Sequence, residues 1–209
     1  MIRNLLERSA TGVAFVALLA ATYFLLPPVV LSLLLFATLG FVLFVEWPKV
    51  GIAGLTPWYP VLPFALLIIL NYLTEYRALV PLIFALAMTF DIGSYLAGTF
   101  VGRHKVAPFI SPKKTWEGFI GGIAMSLLLL YLPPLSTIAA EEPLHAVLLV
   151  IFVDIIAFAG DLFVSLLKRR AGIKDCSGAL PGHGGILDRF DSILFVTFVI
   201  FALRKYLIH

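Results

Sequence analysis

Long apolar runs, interrupted by proline, glycine or charge, constrain this chain more than any other feature. They fall near residues 10–26, 29–46, 59–74, 78–102, 118–138, 144–164 and 190–207. Most approach the roughly 20 residues needed to cross about 30 Å of hydrocarbon. The runs are continuous rather than alternating, which predicts helices and makes strands an unexpected solution. Hydrophobic residues make up 61% of the chain, charged residues 13%, and the mean hydropathy is +1.06. A water-soluble domain carries about a quarter charged residues. The expectation is therefore an all-α, polytopic integral membrane protein of about seven transmembrane helices. Pro27-Pro28 separates the first two runs, and Pro57, Pro60 and Pro63 mark the start of the third. With no internal repeat or low-complexity segment, residues 1–209 read as a single membrane domain. No small-residue cleavage site follows the first run, so it is expected to stay as an anchor. The single cysteine, Cys176, excludes an intramolecular disulfide.

The charges are not spread evenly. With the amino terminus inside, the inner segments hold Arg3, Arg8, Lys49, Arg103, Lys105, Lys113, Lys114, Lys168, Arg169, Arg170, Lys174 and Arg189. The outer segments keep Arg77, Arg204 and Lys205, and one outer loop carries Glu141-Glu142. By the positive-inside rule, the two large polar loops face the cytoplasm of an inner, cytoplasmic membrane.

One stretch stands apart from this apolar background. Residues 165–191, SLLKRRAGIKDCSGALPGHGGILDRFD, gather five Lys or Arg, three Asp, one His and five Gly. Charge and flexible backbone are costly near hydrocarbon, so such a mixture is expected to serve chemistry rather than stability. It suits the binding of polyanionic phosphates together with a hard cation at the membrane surface. Gly182-His183-Gly184-Gly185 lets the backbone approach a ligand closely and present its amides. His183 taken alone is more often a structural hydrogen-bonding residue than a catalyst.

Acidic residues within the runs point the same way. Asp91 is followed by Ser94, Tyr95 and Gly98 at helical spacing. Asp154 and Asp161 share one helix face, continued by Ser165, and Asp188 and Asp191 share another. A carboxylate facing lipid costs about 3 kcal/mol or more, so each must face protein, water or a cation. Helix–helix hydrogen bonding or a proton relay is an equal reading for Asp91 and Asp154. For Asp161, Asp188 and Asp191, which border the basic loop, metal ligation is favoured. Oxygen donors alone point to Mg²⁺ rather than zinc, since neither His183 nor Cys176 has a partner at zinc-ligand spacing. A monovalent cation such as K⁺ is a further candidate.

The other basic loop reads Ser111-Pro112-Lys113-Lys114-Thr115-Trp116-Glu117-Gly118. Ser111 is expected to cap a helix with Pro112 in its first turn, and a helix start flanked by two lysines attracts phosphate. The plainer reading is a juxtamembrane cluster that sets topology, with Trp116 as an interfacial anchor.

Ser165-x-Leu167-Lys168-Arg169-x4-Lys174-Asp175-x-Ser177-x2-Leu180-Pro181-x-His183-Gly184-Gly185-Ile186-x-Asp188-Arg189-Phe190-Asp191 resembles the signature of the phosphatidate cytidylyltransferases, or CDP-diacylglycerol synthases. Ser111 to Gly118, Asp91-x-Gly93-Ser94-Tyr95 and Gly160-Asp161 resemble the same family. The resemblance covers about residues 85–195 as a catalytic core. Residues 1–84 read as variable amino-terminal helices, fewer than bacterial members usually carry.

The resemblance implies that CTP and phosphatidic acid react to give CDP-diacylglycerol and pyrophosphate, with Mg²⁺ required. It implies metal ligation by Asp161, Asp188 and Asp191. Lys174 and Arg189 are expected at the triphosphate, and Ser111, Lys113, Lys114, Thr115, Ser165, Lys168, Arg169, His183, Gly184 and Gly185 at the substrates. The expected partners are membrane lipids and a second copy of the chain in a homodimer, with no nucleic acid. Two other readings compete: a different CTP-dependent lipid enzyme (a CDP-archaeol synthase, or a polyprenol or phytol kinase) and an ion transporter using Asp91, Asp154 and Asp161. The transporter reading leaves the basic, glycine-rich loop unexplained.

Overall fold

The structure is a computed structural model that describes residues 14, 16–180 and 184–208. It is overwhelmingly helical. Helix α1 covers 16–24, and α2 (Pro28–Phe41) starts on Pro28, whose fixed φ suits a first helical position. A π-helical turn, Val42–Glu46, links α2 to the short α3 (Trp47–Val50). Pro48 explains that widened turn: its ring displaces the carbonyl four residues back, and the backbone opens rather than breaks. Helix α4 (Leu62–Tyr72) follows a proline-rich approach, then come α5 (Leu79–Phe100), α6 (Trp116–Ser126), α7 (Leu135–Glu141), α8 (Pro143–Arg170) and α9 (Leu187–Leu207).

Among the described residues, four helical stretches are long and apolar enough to cross a membrane: Pro28–Val50, Ala53–Tyr72, Leu79–Phe100 and Pro143–Arg170. A fifth arises if Trp116–Tyr131 and Leu135–Glu141 count as one span, but these are bent by 85°. The run expected as one span over 118–138 is therefore broken. Pro133-Pro134 is the cause, because neither residue can donate the amide hydrogen that would continue the helix. The expected last span corresponds to α9, whose ends carry Asp188, Arg189, Asp191, Arg204 and Lys205. The beginning of the expected first span lies outside the described residues.

The chain divides into two compact units, one comprising 1–74 and 167–190, the other 75–166 and 191–209. In the first, α2 and α4 are tied by Asn71, whose Nδ2 donates to the Pro28 carbonyl at 2.7 Å and to Ser32 Oγ at 2.9 Å. The core includes Leu31, Leu35, Phe64, Leu67 and Leu70, and the Phe64 and Phe190 rings lie 5.2 Å apart.

In the second unit, α5 and α6 come close enough to exclude side chains. A Cβ on Gly121 would sit 2.2 Å from Ala97 Cβ, and one on Gly93 would sit 2.7 Å from the Gly121 carbonyl. Small residues at such a crossing allow the dense packing that holds helices together in lipid. Phe90, Phe119 and Phe158 fill the space beside it.

Between α5 and α6 the polar loop forms a two-stranded antiparallel sheet, β1 (Lys105–Ala107) and β2 (Ser111–Thr115). The strand pair lies outside the apolar runs, and one expectation is corrected. Ser111 begins a strand rather than capping a helix. The cap is Thr115, whose Oγ1 accepts from the Gly118 amide at 3.1 Å. The helix starts at Trp116, with Glu117 in its first turn holding the Arg103 and His104 amides.

Candidate active site

In the first unit, the end of α8 and the loop after it build a buried charged cluster around Asp188. Lys168 Nζ donates to Asp188 Oδ1 at 2.6 Å, with the two side chains 11% and 4% exposed. Asp188 Oδ2 accepts the amides of Gly185 at 2.8 Å and Cys176 at 2.9 Å. Burial alone would raise this carboxyl, but Lys168 and the two amides outweigh it and hold it below the ordinary carboxylate range. Burial, reinforced by Asp188, pushes the neighbouring Cys176 thiol up, so it stays protonated.

The backbone of the loop is shaped for close approach. Gly184 has φ +82°, a conformation side chains rarely adopt, and its carbonyl accepts from the Leu180 amide at 2.9 Å. Exposed on this scaffold are Arg169, Arg170, Lys174 and Arg189. The expected site residue His183 lies outside the described residues.

One residue here was not anticipated. Glu46, at the end of the π-helical turn, is completely buried. It accepts from Ser177 Oγ at 2.5 Å and from the amides of Ile186 at 2.8 Å and Leu187 at 2.6 Å. Two of these donors belong to the start of α9, where amides lack helical partners. Ile186, the residue before the helix, has no side chain that could cap it.

The second unit holds the other candidates. Lys114, on β2, reaches Asp161 Oδ2 at 2.6 Å and lies 4.4 Å from the centre of the Phe158 ring. Ser165 Oγ donates to Asp161 Oδ1 at 3.2 Å, one turn along α8. Asp191 Oδ1 accepts the Ser192 amide at 2.8 Å. Gly160 allows the α9 backbone to approach, since a Cβ there would meet the Asp191 carbonyl at 2.7 Å. Lys113 and Pro112 are exposed, Ser111 is half-buried, and Thr115 is buried as the α6 cap. Asp154 is fully buried in α8.

The three carboxylates expected to ligate metal thus fall in different units, Asp188 in the first and Asp161 and Asp191 in the second. Among the described residues, no group of three or more His, Cys, Asp or Glu is placed to hold a metal ion. The donor chemistry nevertheless fits a hard cation. All three offer only oxygen, and two stand against lysines.

The arrangement can bind anions through exposed Arg and Lys on a loop stiffened by buried acids. A phosphatidate cytidylyltransferase of Rickettsia prowazekii is 30% identical over 227 aligned positions, covering 98% of this chain and 94% of that protein. One from Rickettsia conorii is 35% identical over 153 residues, covering 70% of this chain and 66% of the relative. One from Bacillus subtilis is 44% identical over 117 residues, covering 56% of this chain and 44% of the relative. The chain thus spans under half the length of that last protein. The cytidylyltransferase family model matches residues 5–207, nearly the whole sequence, and the chain belongs to that family.

Proposed function

We propose that this protein transfers the cytidylyl group of CTP to phosphatidic acid, giving CDP-diacylglycerol and pyrophosphate, on the cytoplasmic side of an inner membrane. The observation that carries the reading is the basic, glycine-rich loop anchored on the Lys168–Asp188 pair. The relatives named phosphatidate cytidylyltransferase support the choice of lipid.

A lipid phosphate oxygen attacks the α-phosphorus of CTP, the bond from that phosphorus to the β-phosphate bridging oxygen breaks, and pyrophosphate leaves. The lipid phosphate is already anionic at neutral pH, so no strong general base is required. The barrier is the approach of two polyanions. Fixed cations lower it by positioning both phosphates and stabilising charge on the leaving group.

Lys174 and Arg189 are assigned to the triphosphate. Lys113, Lys114, Lys168 and Arg169 are assigned to phosphate binding, with Ser111, Thr115, Ser165, Gly184 and Gly185 shaping the substrate contacts. Asp161, Asp188 and Asp191 would hold Mg²⁺, which when bound supplies charge neutralisation between the reacting phosphates. A monovalent cation such as K⁺ and assembly as a homodimer belong to the same proposal.

The test is pyrophosphate release by purified protein in detergent. Release that needs both CTP and phosphatidic acid, and stops with EDTA, is expected. Release with an archaeal ether-lipid phosphate but not with phosphatidic acid would overturn the choice of lipid.

A further inference from the structure

We infer that Glu46 is a positioning residue for the signature loop, clamping residues 177 and 185–187 so that Asp188 and its neighbours are presented in one fixed arrangement. The functional side of this inference rests on the proposed reaction; the structural side does not.

Three observations converge. First, Glu46 is wholly buried, and a buried carboxylate is tolerated only where donors satisfy it. Its three donors come from the loop and the start of α9, 131 to 141 positions away in sequence: Ser177 Oγ and the amides of Ile186 and Leu187.

Second, two of those donors are the free amides at the start of α9, where a negative charge is favoured by the helix dipole. The capping group that Ile186 cannot provide comes instead from the amino-terminal part of the chain.

Third, the loop backbone is cut to fit this carboxylate. A Cβ on Gly185 would lie 2.6 Å from Glu46 Oε1 and 3.0 Å from Asp188 Oδ2. Gly185 therefore sits between the two buried acids and donates its amide to Asp188 at 2.8 Å. Lys49, one turn beyond Glu46, adds a contact to the Cys176 carbonyl at 3.4 Å. The segment after α2 thus contacts the loop at both Cys176 and Ser177.

The placement of Glu46 follows from its local sequence. Pro48 forces the π-helical turn, and Trp47 is fixed by donating Nε1–H to Thr56 Oγ1 at 2.8 Å. Glu46 is thereby held on a rigid support. A positioning role needs one, because a loosely held carboxylate would move with the loop rather than restrain it.

Cys176 provides a readout independent of catalysis. It is the chain's only cysteine, 1% exposed, and its amide donates to Asp188. Maleimide labelling of the full-length protein in detergent therefore measures opening of this loop at a single site.

Glu46→Gln replaces one acceptor oxygen with a donor that cannot receive an amide hydrogen, and Ser177→Ala removes one donor while leaving the acid in place. Glu46→Gln is expected to label Cys176 about tenfold faster and to lose about tenfold in kcat, with the KM for phosphatidic acid within about twofold. Ser177→Ala should shift labelling in the same direction by a smaller factor. A purely structural role would lower the melting temperature and yield while the folded fraction labelled at the parent rate, and that result would overturn the inference. So would parent-like labelling and kcat in both variants. Faster labelling of Glu46→Gln in a protein that never releases pyrophosphate from CTP would uphold the clamp and overturn the proposed reaction instead.

Discussion

Lys168 and Asp188 are 20 positions apart in sequence and 2.6 Å apart in the fold, both almost shut off from solvent. A buried pair of this kind adds little net stability, because desolvation offsets most of the attraction, yet removing one partner strands a charge. The pair is better understood as fixing the geometry between the end of α8 and the start of α9.

Asp188→Asn is expected to lower turnover by about a hundredfold or more while the protein remains folded and membrane-inserted. Near-normal activity in that variant would remove Asp188 from the site. Lys168→Met alone should destabilise the protein by about 3–5 kcal/mol, and the double variant Lys168→Met/Asp188→Asn, whose amide oxygen still accepts from the Gly185 and Cys176 amides, should regain part of that loss without regaining activity. Thermal unfolding in detergent, run beside the kinetic assay, separates the two effects.

Lys114 joins the hairpin to α8 through its 2.6 Å contact with Asp161. Replacing it with Ala should reduce kcat/KM by about ten- to a hundredfold, the range for loss of one charged hydrogen bond. Cys176 labelling should not change, because Lys114 contacts Asp161 and Phe158. Lys205→Ala, outside both motifs, should leave activity unchanged and serves as the control.

The two described glycines of the Gly-His-Gly-Gly segment should fail for different reasons. Gly184→Ala puts a side chain at φ +82°, a backbone penalty of about 1–2 kcal/mol. Gly185→Ala drives a methyl group to 2.6 Å from Glu46 Oε1, and the buried carboxylate must shift. Cys176 labelling should therefore accelerate more in Gly185→Ala than in Gly184→Ala, measured at equal folded fraction.

Chelation should silence the enzyme reversibly. EDTA is expected to abolish pyrophosphate release, Mg²⁺ to restore it, and K⁺ alone to leave it silent, consistent with phosphate chemistry that relies on a hard divalent ion. Full activity in EDTA would contradict the metal assignment.

The helical, membrane-spanning class was legible because unbroken apolar runs have few other solutions, and the signature loop stood out because charge and glycine are costly in such a chain. The misreadings have local causes. Ser111-Pro112 resembles a helix start, but the paired strand places the cap at Thr115, a capping type directly before the helix. Pro133-Pro134 was visible in a run treated as one span, and its missing amide donors produce the 85° bend.

Glu46 is a different case. It is a lone acid at the end of an apolar run, and its donors are backbone amides more than a hundred residues away. The one local hint was the Glu46-Trp47-Pro48 sequence, where proline disturbs a helix beside a charge. The absence of a capping side chain before Leu187 was the complementary sign that some distant residue had to supply one.

The most direct test of the central claim compares CTP labelled at the α-phosphorus with CTP labelled at the γ-phosphorus, using phosphatidic acid and Mg²⁺. Cytidylyl transfer predicts that the α-label moves into the lipid phase while the γ-label leaves as pyrophosphate. Movement of the γ-label into the lipid would show phosphoryl transfer instead, and would contradict the account.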